Sequence, residues 1–242
     1  MRNPRIYLDS PLTANTQVQL SDDAFGHVVR VLRLNQGDAI TLFNGSGSDF
    51  QATLTEVSKK KAFAQVNSEE QIENESPLRI HLGQGISRGD RMDFTLQKSV
   101  ELGVSTITPL FTERCGVKLS GERLAKKHEQ WQKIVISACE QSGRSIVPEV
   151  KAPISLEEWL SQQTNALKLN LHPRAEHSIM TLPVESTNVR LLIGPEGGLS
   201  DKEIEAASEA AFTGVLLGPR VLRTETAALT AITALQCRFG DL

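Results

Sequence analysis

The chain has few cysteines and no long apolar run, and each shortage excludes a class of protein. Its three cysteines, Cys115, Cys139 and Cys237, are odd in number and far apart in the 242 residues. This excludes a disulfide framework and a cysteine-based zinc site. No apolar stretch approaches the roughly 20 residues of a membrane span. The first residues, "MRNPRIYLDSPL", also lack the apolar core of a secretory signal. We therefore expect a cytoplasmic protein with no membrane partner.

Several familiar site motifs are missing as well. The chain has no GxxxxGK[ST] phosphate loop and no GxSxG nucleophile elbow. Its five histidines are not at metal-ligand spacing, so we expect no metal. The segment "HLGQGIS" (81–87) places Gly83 and Gly85 after a strand pattern but lacks the third glycine of a dinucleotide fingerprint. A dinucleotide oxidoreductase is therefore an alternative that rests on an incomplete motif.

The charge is uneven along the chain, although the net charge is only −3. Residues 79–151 carry 12 Lys or Arg against 8 Asp or Glu. Such a basic stretch is either an electrostatic footprint for a polyanion or a solvated helix face. Charge alone leaves both interpretations open.

The first 67 residues are typical of a small antiparallel β-barrel. Four segments carry strand patterns: "HVVRVLRL" (27–34), "AITLF" (39–43), "FQATLTEV" (50–57) and "AFAQV" (62–66). The polar, acidic segment "SEEQIENESP" (68–77) ends in proline and is typical of a linker. We place the domain boundary here, with domains at 1–72 and 73–242.

From residue 78 onward, strand and helix patterns alternate, which predicts an α/β domain with a mostly parallel sheet and helices on both faces. Met92, Leu96 and Val100 are four residues apart, and Gly103 ends that helix. Ser155 and Ser200 each precede a glutamate by three residues, the pattern of a capping box. The last helix, "TETAALTAITALQ" (224–236), has almost no polar face, so it is buried either in the domain core or at a subunit interface.

Two glycine–proline loops follow strands, where open α/β sheets place ligands. They are "IGPEGG" (193–198) and "LGPRVLRTET" (217–226). Glu196 would repel a pyrophosphate, so it favours a ligand with hydroxyls or a positive centre. It either contacts that ligand or braces the neighbouring loop, and both loops could instead be structural turns. Arg220 and Arg223 either pair with Glu225 or face an RNA phosphate.

These loops resemble the closing motifs of the RsmE family, the ribosomal RNA uridine-N3 methyltransferases of the SPOUT superfamily. The resembling segments are "LLIGPEGGLSDKEI" (191–204) and "LGPRVLRTETAALTAI" (217–232), with "QKSVELGVSTITPLFTERC" (97–115), "ACEQSGRSIVPEV" (138–150) and "HVVRVLRLNQGD" (27–38) earlier in the chain. The resemblance implies an N-terminal PUA-like barrel and a SPOUT domain with a deep trefoil knot. It also implies S-adenosylmethionine as cofactor, a homodimer through the knot, and N3-methylation of a uridine in 16S rRNA near the decoding centre.

The resemblance and the needs of the chemistry together assign candidate residues. The cofactor would be held by Leu171, His172, Pro173, Ile193, Gly194, Pro195, Glu196, Gly197, Leu217, Gly218, Pro219, Arg220, Val221, Leu222, Arg223 and Thr226. Uridine N3 must lose a proton or have its negative charge stabilised. We expect Arg114 or Arg223 to supply charge, and Glu140 to hold an arginine or accept the proton.

For RNA contacts the expected residues are His27, Arg30, Arg33, Lys98, Lys118 and Arg144. In a strand, Arg30 and Arg33 would face opposite sides, so only one would belong to a flat patch. A non-enzymatic RNA-binding protein, with the second domain as a dimerisation scaffold, is the other alternative.

Overall fold

The computed structural model describes residues 3–182 and 186–242. It divides into two compact units. Unit 1 comprises Met1–Glu75 and Ile136–Val147, and unit 2 comprises Ser76–Val135 and Pro148–Leu242. The end of a long helix from the second half of the chain thus belongs to unit 1. The first segment of unit 1 ends at Glu75, close to the predicted boundary after residue 72, and that boundary stays a prediction.

Unit 1 is built on a five-stranded sheet. Its elements are β1 (Arg5–Tyr7), β2 (Gln17–Gln19), α1 (Asp22–Phe25), a π-helical segment (Gly26–Val31), β3 (Ala39–Phe43), β4 (Ser48–Val57) and β5 (Ala62–Gln71). The strand order is β1-β3-β4-β5-β2. The pairing is antiparallel except between β1 and β3, so the antiparallel prediction is confirmed apart from one strand pair. Parallel pairing is possible there because a long connection separates the two strands.

Two local predictions for unit 1 are wrong. The segment 27–34 is not a strand, because Ser21 caps a helix by accepting a hydrogen bond from Ala24 N–H, and the helical path continues to Val31. Phe25 and Val28, three residues apart, are both buried, so packing on the core overrides the β propensity of the valines. The linker prediction for 68–77 fails over its first four residues, because β5 runs to Gln71 and pairs with β4. Polar side chains indicate that a segment is exposed to solvent, but they do not indicate whether its backbone pairs with another strand.

Unit 2 alternates strands and helices around an eight-stranded parallel sheet. Its strands are β6 (Arg79–Gly85), β7 (Thr106–Phe111), β8 (Glu149–Val150), β9 (Ile154–Ser155), β10 (Leu167–Leu171), β11 (His177–Ser178), β12 (Asn188–Ile193) and β13 (Thr213–Leu216). Its helices are α2 (Asp90–Glu101), α3 (Gly121–Ser142, whose end lies in unit 1), α4 (Leu156–Ser161), α5 (Asp201–Glu209) and α6 (Thr224–Phe239). The order is β11-β13-β10-β12-β6-β7-β8, with β9 paired to β7.

The helix signals in unit 2 are confirmed. Met92, Leu96 and Val100 of α2 are fully buried, and Gly103 ends the helix region with a φ of 85°. Ser200 and Glu203 form both hydrogen bonds of a capping box at α5. Ser155 caps α4 by accepting a hydrogen bond from Glu158 N–H. Each cap satisfies backbone N–H groups that the first turn of a helix leaves without a partner.

Helix α6 divides its apolar surface between two environments. Ala228, Ala231, Ile232 and Leu235 are fully buried, and the helix packs on α2. Thr226, Thr230 and Cys237 are exposed, and Leu229 is half-buried. The core interpretation therefore accounts for one face only. The trefoil knot and helices on both sheet faces stay predictions.

The described residues bear on disulfides, membrane-spanning helices and metal ligands. All three cysteines are free, and burial raises the pKa of Cys139 to about 12. No helix within 3–182 and 186–242 is long and apolar enough to cross a membrane. The same residues contain no cluster of three His, Cys, Asp or Glu side chains that could hold a metal ion.

Candidate active site

Three neighbouring strands of unit 2 end together, and the loops that follow them form one pocket. Strands β13, β10 and β12 are adjacent and parallel. Leu171, the last residue of β10, lies beside Ile193 on one side and Val215 on the other. The three loops that follow β13, β10 and β12 therefore begin side by side at the carboxyl ends of the strands, where open parallel sheets bind ligands.

The pocket has a volume of about 420 Å³ and is lined by most of the residues expected to hold the cofactor. Those that line it are Leu171, His172, Pro173, Ile193, Gly194, Pro195, Glu196, Gly197, Leu217, Gly218, Arg220, Val221 and Leu222. Three expected residues, Pro219, Arg223 and Thr226, are not in the lining. Pro219 and Thr226 are exposed, and Arg223 is the N-cap residue of α6.

Sequence reasoning missed part of the lining. The missed residues are Arg174, Leu199, Leu216, Ile204, Thr224 and Ala227, and Arg114 was expected in a different role. Gly198 also lines the pocket and belongs to the predicted loop at 193–198. Ile204 and Ala227 come from α5 and α6, the helices that follow two of the loops. The nearly complete lack of a polar face predicted that the helix with Ala227 is buried, but no signal in the sequence indicated that either helix meets a pocket.

Glycines keep the floor of the pocket close to the sheet. A Cβ atom on Gly85 would lie 2.5 Å from Pro195 N, and one on Gly194 would lie 3.0 Å from Leu199 N. A Cβ on Gly83 would lie 2.5 Å from the Trp159 ring. The Gly83-x-Gly85 pair therefore serves packing against Trp159 and the 193–198 loop, which explains it without a dinucleotide.

A chain of hydrogen bonds ties the 193–198 loop to the start of α6. The Thr224 hydroxyl donates to Gly194 O at 2.6 Å and accepts from Gln84 Nε2 at 2.9 Å. Gln84 is fully buried, and its amide also donates to Gly85 O at 3.0 Å. Two of the three pocket loops are thus cross-linked through one threonine.

Glu196 faces the N-terminal end of α2. Its Oε1 accepts a hydrogen bond from Arg88 N–H at 2.8 Å and another from Arg91 at 3.1 Å. Arg91 also lies 4.0 Å from Glu225, so its guanidinium lies near two carboxylates. Burial raises the pKa of Glu196, but the hydrogen bonds from Arg88 and Arg91 outweigh it and the pKa is lowered. Glu196 is therefore ionised and braces neighbouring elements, and sequence reasoning missed Arg91 as its partner.

Arg114, Arg220 and Arg223, the arginines for which roles were predicted, differ in the contacts they make. Arg114 donates hydrogen bonds to Gly197 O at 3.1 Å and to Leu199 O at 3.2 Å, so it supports the glycine loop. Arg220 and Arg223 are exposed, and in the part of the chain that the structure describes neither forms an ion pair with Glu225, whose partner is Arg91. Of the two alternatives left open for Arg220 and Arg223, pairing with Glu225 is wrong.

His172 is fixed by its backbone in the first pocket loop. Its N–H donates to Val215 O at 3.1 Å, and its Nδ1 is buried without a hydrogen-bond partner among the described residues. Burial and then the charge of Arg174 lower the pKa of His172. A neutral imidazole therefore lines the pocket at pH 7, where it can hydrogen-bond a ligand without adding charge.

Comparison with known proteins then identifies the family. The RNA methyltransferase domain family matches residues 74–236, and the RNA methyltransferase PUA domain family matches residues 20–67. A ribosomal RNA small subunit methyltransferase E of Buchnera aphidicola is 44% identical over 243 residues, covering 100% of this chain and 98% of the relative. The chain belongs to the ribosomal RNA small subunit methyltransferase E family. It is an enzyme with PUA and SPOUT-type domains.

Two solved structures of similar chains contain the cofactor of this methyltransferase E family. A methyltransferase of Legionella pneumophila in complex with S-adenosylmethionine is 48% identical, with a TM-score of 0.97 and 100% coverage of both chains. A ribosomal RNA small subunit methyltransferase E of Neisseria gonorrhoeae, bound to S-adenosyl methionine, is 45% identical, with a TM-score of 0.93 and the same coverage.

Glu140, expected at the reacting uridine, and His27, expected at the RNA, both lie in unit 1. Glu140 accepts a hydrogen bond from Tyr7 N–H at 3.0 Å, and its other oxygen lies 3.9 Å from His27 Nδ1. Burial raises the pKa of Glu140. It is not among the residues that line the pocket of unit 2. The partners of Glu140 are thus the backbone N–H of Tyr7 and the imidazole of His27, whereas an arginine was expected.

The basic residues expected at RNA are in different environments. Arg144 is only 5% exposed and pairs with Glu75, which argues against direct RNA contact by Arg144. Lys98 pairs with Glu101 on α2, as a solvated helix face would show. Arg30, Arg33 and Lys118 are exposed. Arg30 and Arg33 lie on a helical turn and its exit, so the opposite-faces argument for a strand does not apply to them.

Proposed function

We propose that this chain uses S-adenosylmethionine to methylate N3 of a uridine in 16S rRNA of the small ribosomal subunit, near the decoding centre. The observation that carries the proposal is the pocket formed by three strand-end loops, in a chain of this family. Both of the solved relatives described above carry S-adenosylmethionine. The N3 atom and the position near the decoding centre follow from the resemblance of the loop motifs to uridine-N3 methyltransferases.

The pocket suits this cofactor on three counts. Its volume, about 420 Å³, lies in the range of small-molecule sites. The glycines at 85 and 194 bring backbone atoms close together, which favours a flat group such as an adenine. The carboxylate of Glu196 disfavours a polyphosphate and tolerates a ligand with a positive centre.

The chemistry assigns tasks to the residues around the pocket. S-adenosylmethionine, when bound, supplies a methyl group on a positively charged sulfur. Uridine N3 must lose its proton, which would pass to solvent, and the resulting negative charge spreads onto the flanking carbonyl oxygens. Arg220 and Arg223, exposed and not paired with Glu225, would stabilise that charge or bind a neighbouring phosphate. Arg114 would act indirectly, because its guanidinium holds the carbonyls of the glycine loop.

The test is methylation of small subunits isolated from a strain that lacks this activity, followed by mapping of the modified base. We expect one N3-methyluridine in 16S rRNA for each subunit. Tight S-adenosylmethionine binding without NAD binding would remove the oxidoreductase alternative. RNA binding with no transfer of labelled methyl groups would instead support the non-enzymatic scaffold and overturn the proposal.

We further propose that the chain works as a cytoplasmic homodimer through the knot. The exposed face of α6, with Thr226, Thr230 and the half-buried Leu229, supports this, because it is a weakly polar surface on a helix whose opposite face is buried. Light scattering on the purified chain tests it directly. A monomeric mass at micromolar concentration would contradict the dimer.

A further inference from the structure

Unit 1 presents a short apolar turn between two arginines, residues 30–33 with the sequence Arg-Val-Leu-Arg, which we name the RVLR tip. Val31 is 69% exposed and Leu32 is 37% exposed. Single exposed apolar residues are normal on protein surfaces, but two adjacent ones with a cation on each side form a patch of defined character.

The RVLR tip is anchored at both ends by the core of unit 1. Phe25 and Val28 before it are buried in the hydrophobic core, and Leu34 after it packs against that core. Leu32 N–H donates to His27 O at 2.9 Å and Leu34 N–H donates to Val28 O at 3.0 Å, so the backbone of the turn is hydrogen-bonded. Val31 and Leu32 are therefore exposed on a turn whose backbone is fixed by hydrogen bonds and by packing on both sides.

The backbone of the tip is unusual in two respects. The segment Gly26–Val31 is π-helical, a conformation found mostly as single turns and often at functional sites. Arg33 has a φ of 57°, in the left-handed region that non-glycine residues rarely adopt. Such conformations cost free energy and persist where the surrounding structure imposes them. Together they turn residues 30–33 outward while Val28 and Leu34 remain inward.

The charges around the tip favour an anionic partner. No Asp or Glu occurs between Asp23 and Asp38 in the sequence, whereas the tip has two arginines. Within the tip, the Arg30 guanidinium lies 5.6 Å from the centroid of the Phe25 ring, a cation–π contact that restrains its side chain. The first acid after the tip is Asp38, which accepts a hydrogen bond from Asn35 N–H at 2.7 Å.

We propose that the RVLR tip is an RNA contact in which Arg30 and Arg33 bind phosphates while Val31 and Leu32 pack against an unstacked base. This rests on the proposed function, which makes an rRNA the substrate. Single-stranded RNA offers flat, apolar base faces beside phosphates, which matches an apolar pair between two cations. Two apolar residues are far too small for a stable protein interface, which favours RNA over a protein partner.

The experiment separates the apolar part of the interaction from the ionic part. Binding of 16S rRNA transcribed in vitro is measured across a salt series for the full chain and for two double variants, Val31→Ser with Leu32→Ser and Arg30→Gln with Arg33→Gln. The apolar variant should bind roughly tenfold more weakly with an unchanged salt slope. The arginine variant should lower the slope of log K against log salt by roughly 0.7 to 0.9 for each phosphate that the variant no longer neutralises.

Ile146→Ser is the matched control, because Ile146 is also in unit 1 and is 44% exposed. It should leave RNA affinity unchanged, and all variants should bind S-adenosylmethionine as the unsubstituted chain does. If the serine variant is poorly folded by circular dichroism, the milder Val31→Thr with Leu32→Asn replaces it.

Two results would overturn the proposal. One is unaltered RNA affinity in the folded apolar variant. The other is a change in oligomeric mass in that variant, which would show a contact between protein chains. The proposed function fails separately, since a chain that binds rRNA but transfers no methyl group would still allow the tip to be tested.

Discussion

Glu196 accepts a hydrogen bond from the backbone N–H of Arg88 at 2.8 Å, across 108 positions of sequence. The bond ties the glycine loop after β12 to the segment that leads into α2. Arg91, in the first turn of α2, adds a hydrogen bond to the same carboxylate oxygen at 3.1 Å. The carboxylate of Glu196, which would repel a phosphate, therefore connects the loop after β12 to the start of α2.

The brace predicts the effect of removing either partner. Glu196→Ala and Arg91→Met should each weaken S-adenosylmethionine binding by about tenfold, because each removes a charge-assisted hydrogen bond that orders the loop. Calorimetric titration with S-adenosylmethionine measures the affinity of each variant. Because the two residues act on one contact, the double variant should bind about as weakly as either single variant. Glu205→Gln, an exposed site on α5, should bind normally. Normal binding by both single variants would contradict the brace.

The close approach of the loop to the sheet predicts a steric effect at Gly85. Gly85→Ala places a Cβ atom 2.5 Å from Pro195 N, and its nearest neighbours are backbone atoms of the loop and a proline ring, which cannot easily move away. We expect a decrease of about 2 kcal/mol in the free energy of unfolding, with weaker cofactor binding. Gly26→Ala has no heavy atom within 4 Å of the new Cβ and should be tolerated. Equal urea midpoints for both variants would contradict the packing account.

The arginines beside the pocket predict a separation of binding from catalysis. Arg220→Gln and Arg223→Gln should lower kcat on small subunits, by about a hundredfold for whichever stabilises charge on the uridine carbonyls. Arg223 is outside the pocket lining, so its variant should retain cofactor affinity. Lys202→Gln, an exposed cation on α5, serves as control. Unchanged single-turnover rates in both arginine variants would remove them from the mechanism.

The buried imidazole of His81 predicts a pH dependence of stability. Burial, then Arg190 and Lys151, lowers the pKa of His81 from 6.5 to about 4, and its Nε2 lies 2.8 Å from the Thr108 hydroxyl. The unfolded chain therefore binds this proton more readily than the folded one. The contribution of neutral His81 to the free energy of unfolding is complete above pH 6.5 and disappears as the pH falls toward 4. At pH 5 about 2 kcal/mol of this contribution is lost.

Urea unfolding at pH 7.5 and pH 5 measures this contribution. His81→Gln should reduce the difference in unfolding free energy between the two pH values, whereas the exposed His177→Gln should leave it unchanged. Equal pH dependence in the unsubstituted chain and in His81→Gln would show that other groups cause the acid instability.

The sequence was sufficient where the signal is local or periodic. The spacing of Met92, Leu96 and Val100 identified α2, and Ser200 with Glu203 marked the start of α5, because caps and helical faces depend on residues a few positions apart. The glycine–proline loops at 193–198 and 217–226 were recognised as a pair, because both follow apolar strands whose ends meet at one sheet edge. Their resemblance to family motifs supplied the reaction and the cofactor.

Tertiary structure decided what depends on residues distant in sequence. The segment 27–34 contains three valines, which favour a strand, yet burial of Phe25 and Val28 on the core of unit 1 makes it helical as far as Val31 and leaves Val31 exposed. From the sequence, Glu196 could equally brace a loop or contact a ligand, since Arg88 and Arg91 lie more than 100 positions away. Hydrophobic periodicity determines which face of an element is buried. Which partners the polar groups find is determined only when the strands are placed side by side, because hydrogen bonds require atoms within about 3 Å of each other.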